Sequence, residues 1–365
     1  MSVPFEIRDP KKAPVYGDSA LSRWCKGALF EARDEVFIRL TLKMMLTMTV
    51  LMAALFFGLR IHDPRVPELA KLGVVAVYLA LWGFLVPPVI LMLHNTMHRP
   101  FLKAPKVLAK AHPYAMSFFF GIPTGYREHH MGMHHAEDNM QKDLSSTIAY
   151  QRDSFLHFLV YFFRFFFLGI IEVSSYLWRA RRFTMAKRLV LGEAAHIAAI
   201  ALVMRFVDFR FGLVAFLIPA VLIRFMMMVG NWGQHAFINT DYKNDGLANS
   251  ITCINATYNE RCFNDGYHIG HHLRANRHWT ELPGELESNI DAYVKEGAIV
   301  FQGVDFFMVS VLLWTGQWKT LARRFVRLDG KERSDADVIA MLKSRVNPVR
   351  EWKAESIEAQ GTSNA

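Results

Sequence analysis

Fifteen histidines are spread unevenly along the chain, and eleven of them fall into four short patches. The first is H-N-T-M-H, with His94 and His98; the second is E-H-H-M-G-M-H-H, with His129, His130, His134 and His135. The third is N-W-G-Q-H, with Asn231 and His235. The fourth is N-D-G-Y-H-I-G-H-H, with His268, His271 and His272, followed by His278. Residues four apart on a helix share a face, with Cβ atoms roughly 5–6 Å apart. His94/His98, His130/His134, Asn231/His235 and His268/His272 all have that interval, and His271 adds an i+3 neighbour to His268. Imidazoles so spaced bind one metal or two adjacent ones, and imidazole suits iron, zinc, copper and nickel. A lone H-x-x-x-H says little, but four patches together are hard to reconcile with solvated surface or satisfied core. The isolated His62, His112, His157 and His196 read as loop, interface or helix-packing residues. His129 points off the His130/His134 face, which suits support of a ligand rather than ligation. His278 reads as a packing residue, or else as a substrate or supporting contact.

The elements that must carry these patches are apolar runs of membrane-spanning length, about 18–25 residues. Such runs cover about Leu40 to Leu59, Leu69 to Leu93 (with Pro87 and Pro88), Leu189 to Phe206 and Phe211 to Val229. The first pair is joined by the loop Arg60 to Glu68, the second by a tight polar turn at Asp208 and Arg210. Orientation follows from the cationic flanks. Arg8, Lys11, Lys12, Arg23, Lys26, Arg33 and Arg39 place the N-terminal stretch inside, and Arg179, Arg181, Arg182, Lys187 and Arg188 place the middle segment inside too. The run from Phe155 to Leu177 is long enough to span, yet it holds Arg164 and Glu172 and lies between two inside segments, so it reads as interfacial or re-entrant. Ile299 to Trp314, with Gln302 and Asp305, reads as interfacial as well. The expectation is an all-α integral membrane protein: four transmembrane helices in two hairpins, interfacial helices, and a cytoplasmic histidine-rich cap. Its parts are a cytoplasmic N-terminal segment (1–39), a membrane domain (40–315) and a cytoplasmic C-terminal tail (316–365), polar and disordered from Ser356. All four patches then emerge on the cytoplasmic side.

Composition agrees. The chain is 52% hydrophobic with a net charge of +9. The basic residues flank apolar runs instead of forming a stripe with aromatics, which argues for the positive-inside bias and against nucleic-acid binding. Cys25, Cys253 and Cys262 form no C-x-x-C and leave one unpaired in any scheme, so they read as reduced thiols. Residues 1–39 contain no short apolar segment of the kind that marks a signal peptide.

The series H-x-x-x-H, H-x-x-x-H-H and H-x-x-H-H, distributed over four membrane helices, resembles the histidine boxes of the membrane fatty-acid desaturases and their hydroxylase and ketolase relatives. The resemblance covers about Leu69 to Pro283. It implies a non-haem di-iron centre, two iron ions that activate O2. By position, the ligands it implies are His94, His98, His130, His134, His135, His235, His268, His271 and His272, with Asn231 acting on one iron through water. The second box has three residues before its H-H pair where many desaturases have two. Glu128, Glu137, Asp138, Asp143, Asp265 and Glu281 stand close enough in sequence to orient imidazole N–H groups, although each is also an ordinary loop acid. The aromatic runs Phe118 to Phe120 and Phe162 to Phe167 line an acyl tunnel or face lipid, the latter being the simpler expectation.

Abstraction of hydrogen from an unactivated C–H bond is beyond acid–base side chains and needs a metal oxidant. The resemblance makes O2-dependent desaturation of a fatty acyl chain the leading function, carried as acyl lipid, acyl-CoA or acyl-carrier protein. Hydroxylation or ketolation of a lipid or terpenoid is the alternative within the superfamily. A metal transporter or sensor is the alternative outside it, disfavoured because the patches lie beyond the helix ends and the spans hold few central ionisable groups. The chain has neither an H-P-G-G haem motif nor a cysteine set for an iron–sulfur cluster, so electrons must come from an external ferredoxin or cytochrome b5. A basic surface suits an acidic donor.

Overall fold

The computed structural model describes residues 5–61, 67–242 and 245–350. His62, most of the loop after Arg60 and the polar tail from Ser356 lie outside the described residues. The protein is 67% helical. Five helices among the described residues are long and apolar enough to cross a membrane: α1 (Ala32–Leu59), α2 (Glu68–His98), α3 (Phe155–Arg179), α4 (Phe183–Val207) and α5 (Phe209–Gln234). Leu, Met, Ala and Phe dominate them, and Leu46, Leu69, Phe167 and Phe206 stay exposed on their flanks. In a bilayer such side chains meet acyl chains rather than water. Four of the five match the runs expected to span, and the fifth, α3, is the one expected to lie along the interface. Its Arg164 and Glu172 pair with each other at 3.3 Å on an accessible flank. The aromatic run in α3 is divided: Phe162 is buried, whereas Phe163 and Phe167 are exposed.

The chain divides into two compact units. One comprises residues 13–129 and 177–225. Here Arg99, just past the end of α2, reaches Asp34 at 2.7 Å near the start of α1, and both side chains are largely buried. Trp82 donates from Nε1 to the carbonyl of Phe120 at 3.2 Å, which ties α2 to the short helix Lys106–Phe120. Within the apolar packing sits a pair not foreseen from composition. Glu193 of α4 accepts from Arg224 of α5 at 2.6 Å, from the Gly125 N–H at 2.8 Å and from Thr124 Oγ1 at 3.1 Å. An intramembrane carboxylate is tolerable only when so fully satisfied. The pair thereby fixes the loop that leads into the second histidine patch.

The other unit comprises residues 1–12, 130–176 and 226–365. Among the described residues it contains the departure from the all-α expectation, two short parallel strands, β1 (Ile251–Ile254) and β2 (Ile299–Gln302), in the register Ile251↔Ile299. Their β-branched and aromatic residues favour extended backbone, and burial on both sides rewards it. The stretch expected as one interfacial segment, Ile299 to Trp314, is thus divided. Its first residues form β2, and a helix (Phe306–Trp314) follows, capped by Asp305 Oδ1 on the Met308 N–H at 2.8 Å. An apolar core of Phe237, Ile251, Phe301, Val309, Leu321, Val338 and Leu342 surrounds the sheet. Cys25, Cys253 and Cys262 are all free and buried.

Arg152 is the polar hub of this unit. Fully buried, it donates to the carbonyls of Ala236, Thr147, Ile148, Tyr150, Arg345 and Asn347 at 2.6–3.3 Å. Burial pushes its pKa down to about 9 against the opposing charge of Asp153. The guanidinium's five donors explain why arginine occupies the position: no other side chain offers so many N–H groups in one plane. The contacts bind the segment after the second histidine patch to the end of the chain's described part.

Candidate metal centre

The second patch begins on a short helix, Tyr126–His129, and continues as a π-helical turn, His130–His134. A π turn accommodates one extra residue in a helix. That is the position where this chain has one more residue before H-H than the commoner box. The wider turn changes the pairing expected from an i+4 helix. His130 does not share its set with His134 but with His135, five residues on: their Nε2 atoms are 3.0 Å apart. The helix then stops at Asp138 and Asn139, both with positive φ (46° and 60°). Asp and Asn tolerate this region better than most residues.

The third patch sits at the end of α5. Gly233 lies between Asn231 and His235 because the carbonyl of Phe306 approaches so closely that a Cβ would meet it at 2.3 Å. The fourth patch forms the short helix α6 (His268–Leu273). Gly270, on α6, faces a side chain instead: a Cβ would lie 2.6 Å from Glu285 Oε2, which would have to shift.

Two sets of imidazoles result. In one, Nε2 of His135 is 3.0 Å from Nε2 of His130 and 3.0 Å from Nε2 of His271. In the other, His134, His235, His268 and His272 present ligand atoms all within 4.8 Å of one another. Within it, Nε2 of His268 is 3.2 Å from Nε2 of His235 and 3.0 Å from Nε2 of His272. The sets are neighbours: ring centroids of His135 and His272 are 5.0 Å apart, and those of His268 and His271 5.8 Å. Ligands about 2.1 Å from one metal and at right angles to each other stand about 3.0 Å apart, so the observed spacings fit imidazoles converging on a common cation. His94 and His98 lie in the other unit, on the last turns of α2, with ring centroids 5.0 Å apart.

Hydrogen-bond partners fix the tautomers of three members of the four-histidine set. Nδ1 of His134 donates to Asp143 at 2.6 Å, Nδ1 of His272 to Asp138 at 2.8 Å, and Nδ1 of His235 to the Asn249 carbonyl at 2.7 Å. A proton held on Nδ1 leaves the Nε2 lone pair free for a metal. Asp143 is itself oriented by Ser145, whose N–H and Oγ both reach Oδ1, at 2.8 and 2.7 Å. The surroundings titrate accordingly. Burial disfavours the imidazolium of His134, but the charge and hydrogen bond of Asp143 outweigh it and raise the pKa. At His235 and His272 burial prevails and lowers it. Burial also works against ionised Asp138, yet the hydrogen bond from His272 lowers its pKa.

Of the six acids near the patches, Asp138 and Asp143 each orient an imidazole. Glu137 bonds Tyr176 Oη, and Asp265 accepts from Tyr258 Oη at 2.9 Å. Burial raises the pKa of Glu128. Glu281 closes a 3-10 turn, Trp279–Glu281. His278 caps that turn, accepting from the Thr280 N–H at 3.2 Å. His129 joins neither set. His112 bonds Thr41 Oγ1 at 2.9 Å, His157 accepts from the Gln151 N–H at 2.9 Å, and His196 packs against Phe118, all as packing or capping residues. Asn231 donates from Nδ2 to the Ser145 carbonyl and to Tyr161 Oη, both at 2.8 Å. Asn249, Ser145 and Tyr161 carry no signal in the sequence: one acts through its backbone carbonyl, and the others are common residue types outside any motif.

The chain matches the fatty acid desaturase family over residues 69–301. It belongs to that family. No curated protein and no solved structure matches it. The family and the five apolar helices make it an integral membrane oxidoreductase acting on lipid, and the histidine clusters fit the use of iron.

Proposed function

We propose that the protein desaturates a fatty acyl chain with O2 at a di-iron centre. The observation that carries this reading is the pair of adjacent histidine sets with no carboxylate or cysteine among their members. Two cations held side by side by neutral imidazoles keep high positive charge and open positions, which is what O2 activation against a C–H bond needs. His130, His135 and His271 would hold one ion and His134, His235, His268 and His272 the other; His94 and His98, and Asn231 through water, are the further metal contacts that the family resemblance implies. The bound irons supply the oxidising chemistry. Asp138, Asp143 and the Asn249 carbonyl keep the imidazole protons on Nδ1. In the reaction the acyl chain loses two hydrogens from adjacent carbons, and O2, taking two electrons from an external donor and two protons from water, leaves as two waters.

The centre lies on the cytoplasmic side of four spanning helices, α1, α2, α4 and α5, within a catalytic region of residues 40–315 flanked by the segments 1–39 and 316–365. The two basic inside segments require an even number of crossings between them, and the accessible Arg164–Glu172 pair supports α3 lying along the bilayer. The electron donor is a separate acidic ferredoxin or cytochrome b5, drawn by a chain of net charge +9. The substrate is an acyl lipid, acyl-CoA or acyl-carrier protein.

The test is lipid profiling by mass spectrometry after expression in a host with a compatible donor, beside a His271→Ala control. Products lighter by the mass of two hydrogens, absent from the control, support desaturation. Products heavier by one oxygen replace it with hydroxylation at the same centre.

A further inference from the structure

We propose that Asp9 is a positioning residue for the fourth histidine patch: its carboxylate holds Tyr267, the residue that leads into α6, and so sets the direction in which His268, His271 and His272 point. The inference rests on reading those histidines as metal ligands. Asp9 lies sixty residues before the family match begins at residue 69, in a stretch that the sequence marks only as polar and basic.

Residues 6–11 pack along the loop between β1 and α6. Ile7 and Asp9 are both buried. Asp9 Oδ2 accepts from Tyr267 Oη and from the Asn255 N–H, each at 2.7 Å. Asn255 has a positive φ of 54° and answers the segment on both its edges: Nδ2 donates to the Glu6 carbonyl at 2.8 Å, and Oδ1 accepts from the Arg8 N–H at 2.8 Å. Further along, Asn264 Nδ2 donates to the Pro10 carbonyl at 2.7 Å, and Lys11 pairs with Glu287 at 2.7 Å. Tyr267 is the link to the centre. Its ring is buried, and its carbonyl accepts from the His271 N–H at 3.0 Å in the first turn of α6. Two donors, one phenolic and one backbone, meet on a single oxygen of Asp9. A buried phenol needs such a partner, and an ionised acceptor makes the shorter and stronger bond. Loss of that oxygen frees Tyr267 and the loop together, and α6 turns with them.

The experiment uses the full chain purified in detergent. It reads iron per chain, the rate of iron loss to a chelator, and the ligand-field bands of cobalt(II)-loaded protein. Asp9→Ala is expected to release iron about tenfold faster and to shift the cobalt bands, as loss of outer support does at metal sites. Asp9→Asn keeps an oxygen where Oδ2 sits and is expected to restore most of the retention. Tyr267→Phe should reproduce Asp9→Ala, and the double variant should add nothing further. Val338→Ala, in the apolar core around the sheet, serves as the control for general destabilisation: it should lower the melting temperature without changing release. Wild-type release and bands in Asp9→Ala, or equal acceleration by Val338→Ala, overturn the inference while the metal centre stands. A wild-type chain that holds no iron after reconstitution overturns both.

Discussion

Asp143→Asn isolates the support of one imidazole with almost no change of shape. Nδ1 of His134 and Oδ2 of Asp143 are 2.6 Å apart, and both side chains are buried. The other carboxylate oxygen accepts from the Ser145 N–H and Oγ. A backbone N–H cannot turn away, so in Asp143→Asn the one remaining carbonyl oxygen is claimed by Ser145. The amide NH2 then faces His134. To accept from it, the imidazole must move its proton from Nδ1 to Nε2, the nitrogen that serves the four-histidine set. Metal binding must reverse that tautomer and lose the new hydrogen bond. Outer partners of this kind are worth about 10–100-fold in metal affinity, or about 1.4–2.7 kcal/mol. The cost of a hydrogen bond to a charged group, about 1.5–3 kcal/mol, falls in the same range. The assay is iron per chain against increasing chelator, with circular dichroism to show that the helices persist. The expected result is iron lost at chelator concentrations tenfold or more below those the wild type withstands, with product yield falling in parallel. Wild-type retention in Asp143→Asn would refute the tautomer argument.

The remaining predictions separate ligands from scaffold. His134→Ala and His271→Ala are expected to abolish product while membrane insertion is unchanged, measured by lipid profiling beside a membrane-fraction blot; wild-type yield in either removes that residue from the centre. His157→Ala deletes a local acceptor for the Gln151 N–H, so it should cost about 1 kcal/mol of stability by thermal melting and leave iron content unaltered. Arg152→Met removes the donor to six carbonyls; those of Thr147, Ile148 and Arg345 keep a backbone N–H, and those of Ala236, Tyr150 and Asn347 lose the bond. At about 1–3 kcal/mol for each buried group left unpaired, partial relaxation still leaves a loss of about 2–3 kcal/mol, seen as a drop in melting temperature in detergent. Gly233→Ala sets a methyl 2.3 Å from the Phe306 carbonyl, and this backbone clash should cost about 1–3 kcal/mol and displace His235, read as lower iron content than wild type.

What the sequence made legible follows from which interactions are local. Apolar runs need only their own composition to announce a spanning helix, and the runs around Leu40, Leu69, Leu189 and Phe211 all correspond to helices. The i+4 interval of His268 and His272 survives because α6 is an ordinary helix. The same rule misleads at His130 and His134, because a π turn cannot be told from an α turn by residue type alone. β2 was hidden for a different reason: Ile299 to Phe301 is extended only because β1, nearly fifty residues earlier, pairs with it. A long-range partner is likewise what gives Asp138 its role, since His272 lies far along the chain. Asp143 meets His134 nine residues back, but no residue type marks the turn between them, and Ser145 completes the arrangement from two residues on.

The division of the histidines between two sets explains why H-H dipeptides recur in the patches. Successive residues on a helix point about 100° apart, so neighbours cannot easily serve one metal. In two of the three dipeptides the two rings go to different sets: His134 and His135 part company, as do His271 and His272, whereas in the third His129 joins neither set. Each of these two dipeptides is therefore a spacer that would hold two cations at a fixed separation through one stretch of backbone. The π turn keeps this arrangement in the second patch despite its extra residue. It brings His130 round to His135 rather than to His134, so His134 stays with the other set. A single-residue deletion between His130 and His134 would restore the commoner spacing and let an ordinary α turn replace the π turn, because the pairing of His130 with His135 would then be i+4. On this argument the deletion variant keeps both sets and retains iron, whereas an insertion at the same place, which no single turn can absorb, separates His130 from His135 and loses it.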